Sequence, residues 1–260
     1  MTDGGQPTHE TASATLSIAV VPPAFPGVLS TSWAGYLWPS SSLVTKVGAT
    51  WTVPTLDSSA TPNAGMSWWI GTGGAGSSSG DLLQTGVSSF CLNGVQHDLG
   101  WWEEFPEVEQ TTFASFPVAP GDVIKAQVYE ATTSGVWETL LDDTTTGLAG
   151  VMVTGQSWGV GSDASITPTV QGTTSTPAYT DRYSAEWIVE DFLVDSSPAT
   201  AQEVPLADFG SVRFTSMGMA RGPWYGGVAE PQNDVERVEG GQVLAVPGWS
   251  GGTMTVASVG

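Results

Sequence analysis

Along the chain, apolar positions come in short runs, and in most runs they alternate with polar ones. The runs cover residues 32–38, 46–54, 66–71, 81–90, 122–131, 135–141, 150–155, 184–192, 212–217, 242–248 and 253–259. They are rich in Val, Thr, Trp and Ile, which suit a pleated, half-buried surface, and clusters of Gly, Pro, Asn and Ser separate them. No window longer than about ten residues keeps a helical period of 3.6. The 33 glycines and 17 prolines argue further against long helices. The pattern predicts an all-β chain, an antiparallel β-sandwich or jelly roll. Residues 198–203 are the one place where a short helical turn is expected. Residues 1–30 are rich in Gly, Pro, Thr and Ser and are expected to form a flexible arm or leader remnant. Residues 31–260 then form a single sandwich domain.

The alternation also assigns faces. In a strand, side chains two apart share a side. In the run 184–192, Glu186, Ile188 and Glu190 therefore face one way and Trp187 and Val189 the other. The same parity groups Leu82, Gln84 and Gly86 in one segment, and Trp101, Glu103 and Phe105 in another. Acids on one face and large apolar groups on the other are what a sheet with a polar, concave face would carry. Periodicity does not say which face is the cleft.

Charge narrows the partners. Six Lys+Arg against 26 Asp+Glu give a net charge of −20 and a pI near 4.1. Phosphate backbones and anionic membranes would repel such a surface, so nucleic acids and membranes are not expected partners. Free Asp and Glu titrate at about 3.9 and 4.3, so self-repulsion that is large at pH 7 fades near pH 4. Adaptation to acid is preferred here over a merely solubilising surface. The stretch 12–28 is mildly apolar but lacks a basic start and is broken by Pro22, Pro23 and Pro26, unlike a signal peptide. The lone Cys91 has no disulfide partner in the chain and reads as a small buried hydrophobe.

Several motifs match chemistry by chance. Gly71-Thr-Gly-Gly-Ala-Gly76 fits a dinucleotide fingerprint, but a Ser/Gly tract follows where a helix is needed, so a loop is expected. Gly155-Gln-Ser-Trp-Gly159 fits a nucleophile elbow, yet His9 and His97 are the only histidines and no strand-to-helix turn is predicted. Two histidines and one cysteine leave no zinc constellation. Leu83-Gln-Thr-Gly86 resembles an aspartic peptidase loop with Gln in place of Asp, and no intact second loop exists.

Other motifs stand in order along the chain: Ser32-Trp-Ala-Gly35, Trp51-Thr-Val-Pro54, Trp69-Ile-Gly71, Leu82-Leu-Gln-Thr-Gly86, Trp101-Trp-Glu103, Phe105-Pro-Glu107, Pro120-Gly-Asp122, Ala185-Glu-Trp-Ile-Val-Glu-Asp-Phe192 and Val204-Pro-Leu-Ala-Asp-Phe209. Taken together, they resemble those of the glutamic peptidases, or eqolisins. The resemblance implies two curved antiparallel sheets with a catalytic pair, Gln84 and Glu186, on the concave face. It implies an acid-acting endopeptidase in which Glu186 passes protons and Gln84 stabilises the oxyanion. It places Trp33, Trp69 and Trp101 along the cleft as substrate-binding surfaces, and Glu103 beside Gln84. Glu190 is expected to be a structural acid. Polypeptides are the implied substrates, no cofactor or metal is implied, and a secreted, extracellular monomer is expected. The chain departs from the family pattern at Ser32, Gly73 and Glu104, where Asn, Asp and an aromatic stand. A glycoside hydrolase with Glu186 paired to Glu190 or Glu103, or a carbohydrate-binding sandwich, is the alternative reading.

Overall fold

The computed structural model describes residues 28–75, 81–131, 135–162, 169–174, 182–191, 193–194, 202–221, 224–227, 233–240 and 242–259. Among them are twenty strands and no helix. The first seven are β1 (Val28–Ser30), β2 (Trp33–Pro39), β3 (Val44–Thr52), β4 (Gly65–Gly73), β5 (Leu82–Leu92), β6 (Val95–Phe105) and β7 (Val108–Thr112). Next come β8 (Val123–Glu130), β9 (Trp137–Asp143), β10 (Leu148–Val153), β11 (Trp158–Ser162), β12 (Thr169–Gly172) and β13 (Ser184–Glu190). The last are β14 (Leu193–Val194), β15 (Gln202–Glu203), β16 (Ser211–Arg221), β17 (Trp224–Gly227), β18 (Asn233–Glu239), β19 (Gln242–Ser250) and β20 (Thr253–Ser258). Every run identified by alternation falls on a strand.

One sheet has the order β7-β6-β5-β4-β13-β2-β18-β19-β20, with the first half of β16 at its edge. The other has the order β12-β11-β10-β9-β8-β3, followed by the second half of β16 and β17. Strand β16 joins the two. Its residues 211–214 pair with β20, and beyond Thr215 the register shifts onto β3, with Ser216 in the left-handed region at φ 50°. Such a bulge lets a strand turn the corner between packed sheets. All named pairs are antiparallel except β1 with β18. Three residues of the expected arm thus belong to the sheet; residues 1–27 lie outside the described residues.

Two sequence expectations need correction. Residues 202–203 form β15 and pair with β14, so their backbone groups bond a partner strand and not a helical turn; residues 195–201 lie outside the described residues. Gly71–Gly73, expected in a loop, end β4 and pair with Leu82–Gln84 of β5. Gly76 lies outside the described residues. In the elbow-like Gly155–Gly159 match, residues 155–157 lie in the turn between β10 and β11, closed by Val153 N donating to Ser157 O at 2.9 Å, and Trp158 and Gly159 open β11.

Between the sheets, alternation buries Trp51, Trp68, Ile70, Leu83, Trp102, Trp187, Val189 and Phe214, each at most 1 % exposed. Aromatics of this size bury about 150–250 Å² apiece and dominate such a core. Cys91 sits in it as the small buried residue expected, its Sγ 2.8 Å from Ser58 Oγ. The indole of Trp187 donates to Gly48 O at 3.1 Å and so ties β13 to β3 of the facing sheet. Gly35 of β2 lies at φ 145°, and a Cβ there would stand 2.2 Å from Trp187 O. Only glycine lets β2 come this close to β13.

Candidate active site

With Trp187 and Val189 turned into the core, Glu186, Ile188 and Glu190 necessarily occupy the opposite face of β13. Cross-strand register lines up its neighbours. Glu186 pairs with Leu37 of β2 on one side and with Gly71 of β4 on the other. Gly71 pairs with Gln84 of β5, and Gln84 with Glu103 of β6. One lateral row therefore reads Leu37, Glu186, Gly71, Gln84, Glu103. Neighbouring strands stand about 4.8 Å apart, so Glu186 and Gln84 flank Gly71 with their backbones roughly 10 Å apart. The next row along the sheet carries Ile188, Trp69, Gly86 and Trp101, and the one after it Trp33, Glu190, Ser67 and Ser88.

All six residues singled out in the sequence thus share one face. Glu186, Gln84, Trp33, Trp69 and Trp101 have no exposed surface, and Glu103 has 1 %. They pack with an apolar cluster that includes Leu37, Leu82, Ile188, Val204 and Val235.

A one-residue slip would turn each of these side chains into the core, so the register is pinned locally. Thr72 Oγ1 donates to Ser184 O at 2.9 Å, and Ser184 Oγ donates back to Gly73 O at 3.1 Å, which fixes β13 against β4 beside Glu186. Thr85 Oγ1 donates to Trp101 O at 2.7 Å and fixes β5 against β6 beside Gln84. Just past β13, Arg237 Nε donates to Asp191 Oδ2 at 2.6 Å in a buried ion pair, anchoring that end to β18. Neither Ser184 nor the Arg237–Asp191 pair was singled out in the sequence, because nothing local marks a long-range partner.

Glu103 and Glu190 each accept side-chain hydrogen bonds on this face. Glu103 Oε2 accepts from Gln84 Nε2. Glu190 Oε1 accepts from Trp33 Nε1 at 2.8 Å, and its Oε2 accepts from Trp69 Nε1 at 2.7 Å. Burial pushes Glu103 up to about 8, against the downward pull of the Gln84 hydrogen bond. Burial also lifts Glu190 well above the usual carboxylate range, opposed by its two indole donors and reinforced by the charges of Glu103 and Asp191. Gln84 Oε1 is buried without a hydrogen-bond partner. Among the described residues no group of three His, Cys, Asp or Glu side chains could hold a metal ion.

Sequence reasoning did not foresee Gly71 as the spacer of the row. A Cβ there would lie 2.9 Å from Leu82 Cδ1, 3.1 Å from Leu83 O and 3.2 Å from Gln84 Cβ. Nor did it foresee Glu190 as acceptor for two indoles, although its parity with Glu186 held that clue. Glu104, by contrast, points away from the row on the face of Trp102, so its departure from the family pattern does not alter the row itself.

Known proteins share this arrangement of strands. The solved structure of scytalido-glutamic peptidase with a peptide-based transition state analog superposes with a TM-score of 0.68 at 23 % identity, covering 89 % of this chain and 100 % of that one. SCP-B, an eqolisin solved with the tripeptide Ala-Ile-His, gives 0.67 at 22 %, with coverages of 89 % and 100 %. Aspergillopepsin-2 of Aspergillus niger is 29 % identical over 253 residues, spanning 88 % of this chain and 78 % of the relative. The model of the Peptidase A4 family matches residues 31–257, which take in every strand from β2 to β19 and most of β20. With the sandwich and the ordered motifs in agreement, the chain belongs to the Peptidase A4 family.

Proposed function

We propose that this glutamic endopeptidase cuts polypeptides in an acid, extracellular setting, with Glu186 and Gln84 as its catalytic pair. The observation that supports this reading is the lateral row in which Gly71 alone separates the two side chains. A scissile carbonyl lying over Gly71 would meet a carboxyl group on one side and an amide donor on the other.

The chemistry follows from the groups. Glu186 takes a proton from water as the water oxygen bonds to the carbonyl carbon. The carbonyl π electrons move to the oxygen, and that oxyanion accepts an N–H from Gln84. Glu186 then returns the proton to the amide nitrogen, the C–N bond breaks, and a carboxylic acid and an amine leave. A Gln side chain has two N–H donors. Glu103 accepts from the amide of Gln84 and so orients it, which leaves a second N–H for the oxyanion. With its pKa near 8, Glu103 is neutral in acid and sets no negative charge beside the developing oxyanion. Trp33, Trp69 and Trp101 line the same face but have no exposed surface, so in this reading an extended peptide packs against their rings only after the side chains packed over them shift.

A glycosidase geometry fits less well. Such enzymes place two carboxyl groups about 5–9.5 Å apart. Glu186 and Glu190 are four residues apart on one strand, about 13 Å, and Glu103 lies three strands from Glu186, about 14 Å between backbones. Glu190 and Glu103 are also occupied by their indole and amide donors.

The class is tested by incubating the protein with acid-unfolded haemoglobin at pH about 3–4 and at pH 7, with a β-glucan in parallel. Internal cleavage of the protein in acid, with the glucan intact, is the expected outcome. Glucan hydrolysis without proteolysis would reject the reading.

The spacer gives a separate prediction. Gly71→Ala puts a methyl group 3.2 Å from Gln84 Cβ and against Leu82 and Leu83. A misplacement near 1 Å at a reacting centre typically lowers rates about a hundredfold. We expect kcat to fall about 10- to 100-fold with a small change in melting temperature; wild-type kcat would show that the row does not frame the reaction.

A further inference from the structure

We propose that Glu190 is the positioning residue of the aromatic wall, setting the relative orientation of Trp33 and Trp69 and through them the affinity for peptide. The proposal rests on the reading of those two tryptophans as lining the peptide site; both are buried, so a peptide meets their rings only once the side chains packed over them shift.

Glu190 spends both oxygens on the same task. Oε1 accepts the indole N–H of Trp33 at 2.8 Å and Oε2 that of Trp69 at 2.7 Å. The rings come from different strands, β2 and β4, on either side of β13, so no local backbone geometry couples them. They meet edge to face, with centroids 5.0 Å apart and planes at 78°. Glu190, Trp33 and Trp69 are all at most 1 % exposed, so water is not at hand to replace a lost acceptor. The carboxyl group is thus a two-pronged clamp, four residues along β13 from Glu186, about 13 Å away and outside the reacting row.

The clamp does not depend on Glu190 being ionised. Each oxygen keeps a lone pair for its indole donor in the acid and in the carboxylate. The NH₂ of a glutamine has none to offer. Glu190→Gln therefore keeps size and shape but faces one indole N–H with another donor. Leaving one buried donor unsatisfied typically weakens an arrangement about tenfold or more.

The test measures kcat and KM at pH about 4 on a synthetic peptide carrying one cleavage site mapped in haemoglobin. It also measures binding of that peptide, by indole fluorescence, in the Glu186→Gln background. For Glu190→Gln we expect KM and Kd to rise about tenfold and kcat to change less than about threefold, with Glu190→Asp, which retains both acceptors, recovering part of the affinity. In a Trp33→Phe/Trp69→Phe background, which keeps two rings but removes both donors, Glu190→Gln should then leave KM unchanged. Unchanged KM and Kd in folded Glu190→Gln would overturn the proposal. So would a kcat loss of about a hundredfold at constant KM, because Glu190 would then act in the chemistry. If Glu190→Gln does not fold, Trp33→Phe alone removes one donor, and an unaltered KM in that variant overturns the proposal equally. Failure of the catalytic reading looks different: Glu186→Gln would still cleave the peptide, while the comparison of affinities would stand.

Discussion

Glu186→Gln is expected to lower kcat on an unfolded protein substrate by about three to four orders of magnitude in acid, with the fold intact. The side chains are nearly identical in size, and position 186 is fully buried in a row fixed by Thr72, Ser184 and Trp187, so the substitution changes chemistry far more than packing. An amide cannot take the proton from an attacking water, and loss of a positioned general base alone typically removes a factor of about 10²–10⁴. Here the same group must also protonate the leaving nitrogen, which places the effect at the upper end. Gln84→Ala should lose less, about 10²–10³, the usual worth of one oxyanion donor. It should lose it in kcat and in kcat/KM together, as expected of a contact made only in the transition state. Single-turnover rates on a defined peptide, with melting curves to check folding, separate these outcomes. A Glu186→Gln enzyme that digests protein at a tenth of the wild-type rate would remove Glu186 from the chemistry.

How far the sequence alone leads is clear from individual residues. Strands such as β4, β5, β8 and β13 were legible because each must send every second side chain into a core of Trp, Ile and Val. Strand β18 (Asn-Asp-Val-Glu-Arg-Val-Glu) escaped, since four of its seven residues are charged and its place is secured by pairing with β1, β2 and β19. Parity within β13 put Glu186 and Glu190 on one face and could not separate their roles. Register separates their surroundings: Glu186 is aligned with Gly71 and Gln84, whereas Glu190 is drawn to two indoles from flanking strands. The register of β13 depends on pairings with β2 and β4, more than a hundred positions away, and no local pattern encodes them. Gly71 illustrates the same limit. In the sequence it is one glycine of a Gly-rich stretch, and only its place between β13 and β5 makes its missing side chain matter.

The second large effect concerns stability. The melting temperature should rise as pH falls from 8 towards 4, by on the order of 10 °C, and Glu103→Gln should flatten much of that rise. Glu103 is 1 % exposed, and burial lifts its pKa from 4.5 to about 8. A carboxyl group whose folded pKa exceeds its unfolded value binds its proton more tightly in the folded state. Its stabilising contribution is complete below about 4.5 and is lost progressively as pH climbs to about 8. Burial raises Glu190 and Asp98 in the same direction, and both add to the trend. Asp57 has its pKa lowered by Ser59 and Ala60 and works in the opposite sense, but it is fully exposed. One pKa unit corresponds to about 1.4 kcal/mol, so Glu103 alone accounts for a few kcal/mol across the window. For a domain of this size each kcal/mol moves the midpoint by about 2–4 °C. Glutamine at 103 keeps an oxygen to accept from Gln84 but has no proton to lose, so the pH dependence it removes is that of Glu103 together with the part of Glu190's shift that the Glu103 charge sustains. Easing of repulsion within a chain of net charge −20 acts over the same range but survives the substitution. Thermal unfolding followed by circular dichroism at pH 4, 6 and 8 measures both slopes. Equal slopes in wild type and Glu103→Gln would assign the acid stability to surface repulsion and leave Glu103 ionised in the fold. A wild-type midpoint that falls on acidification would contradict both sources at once.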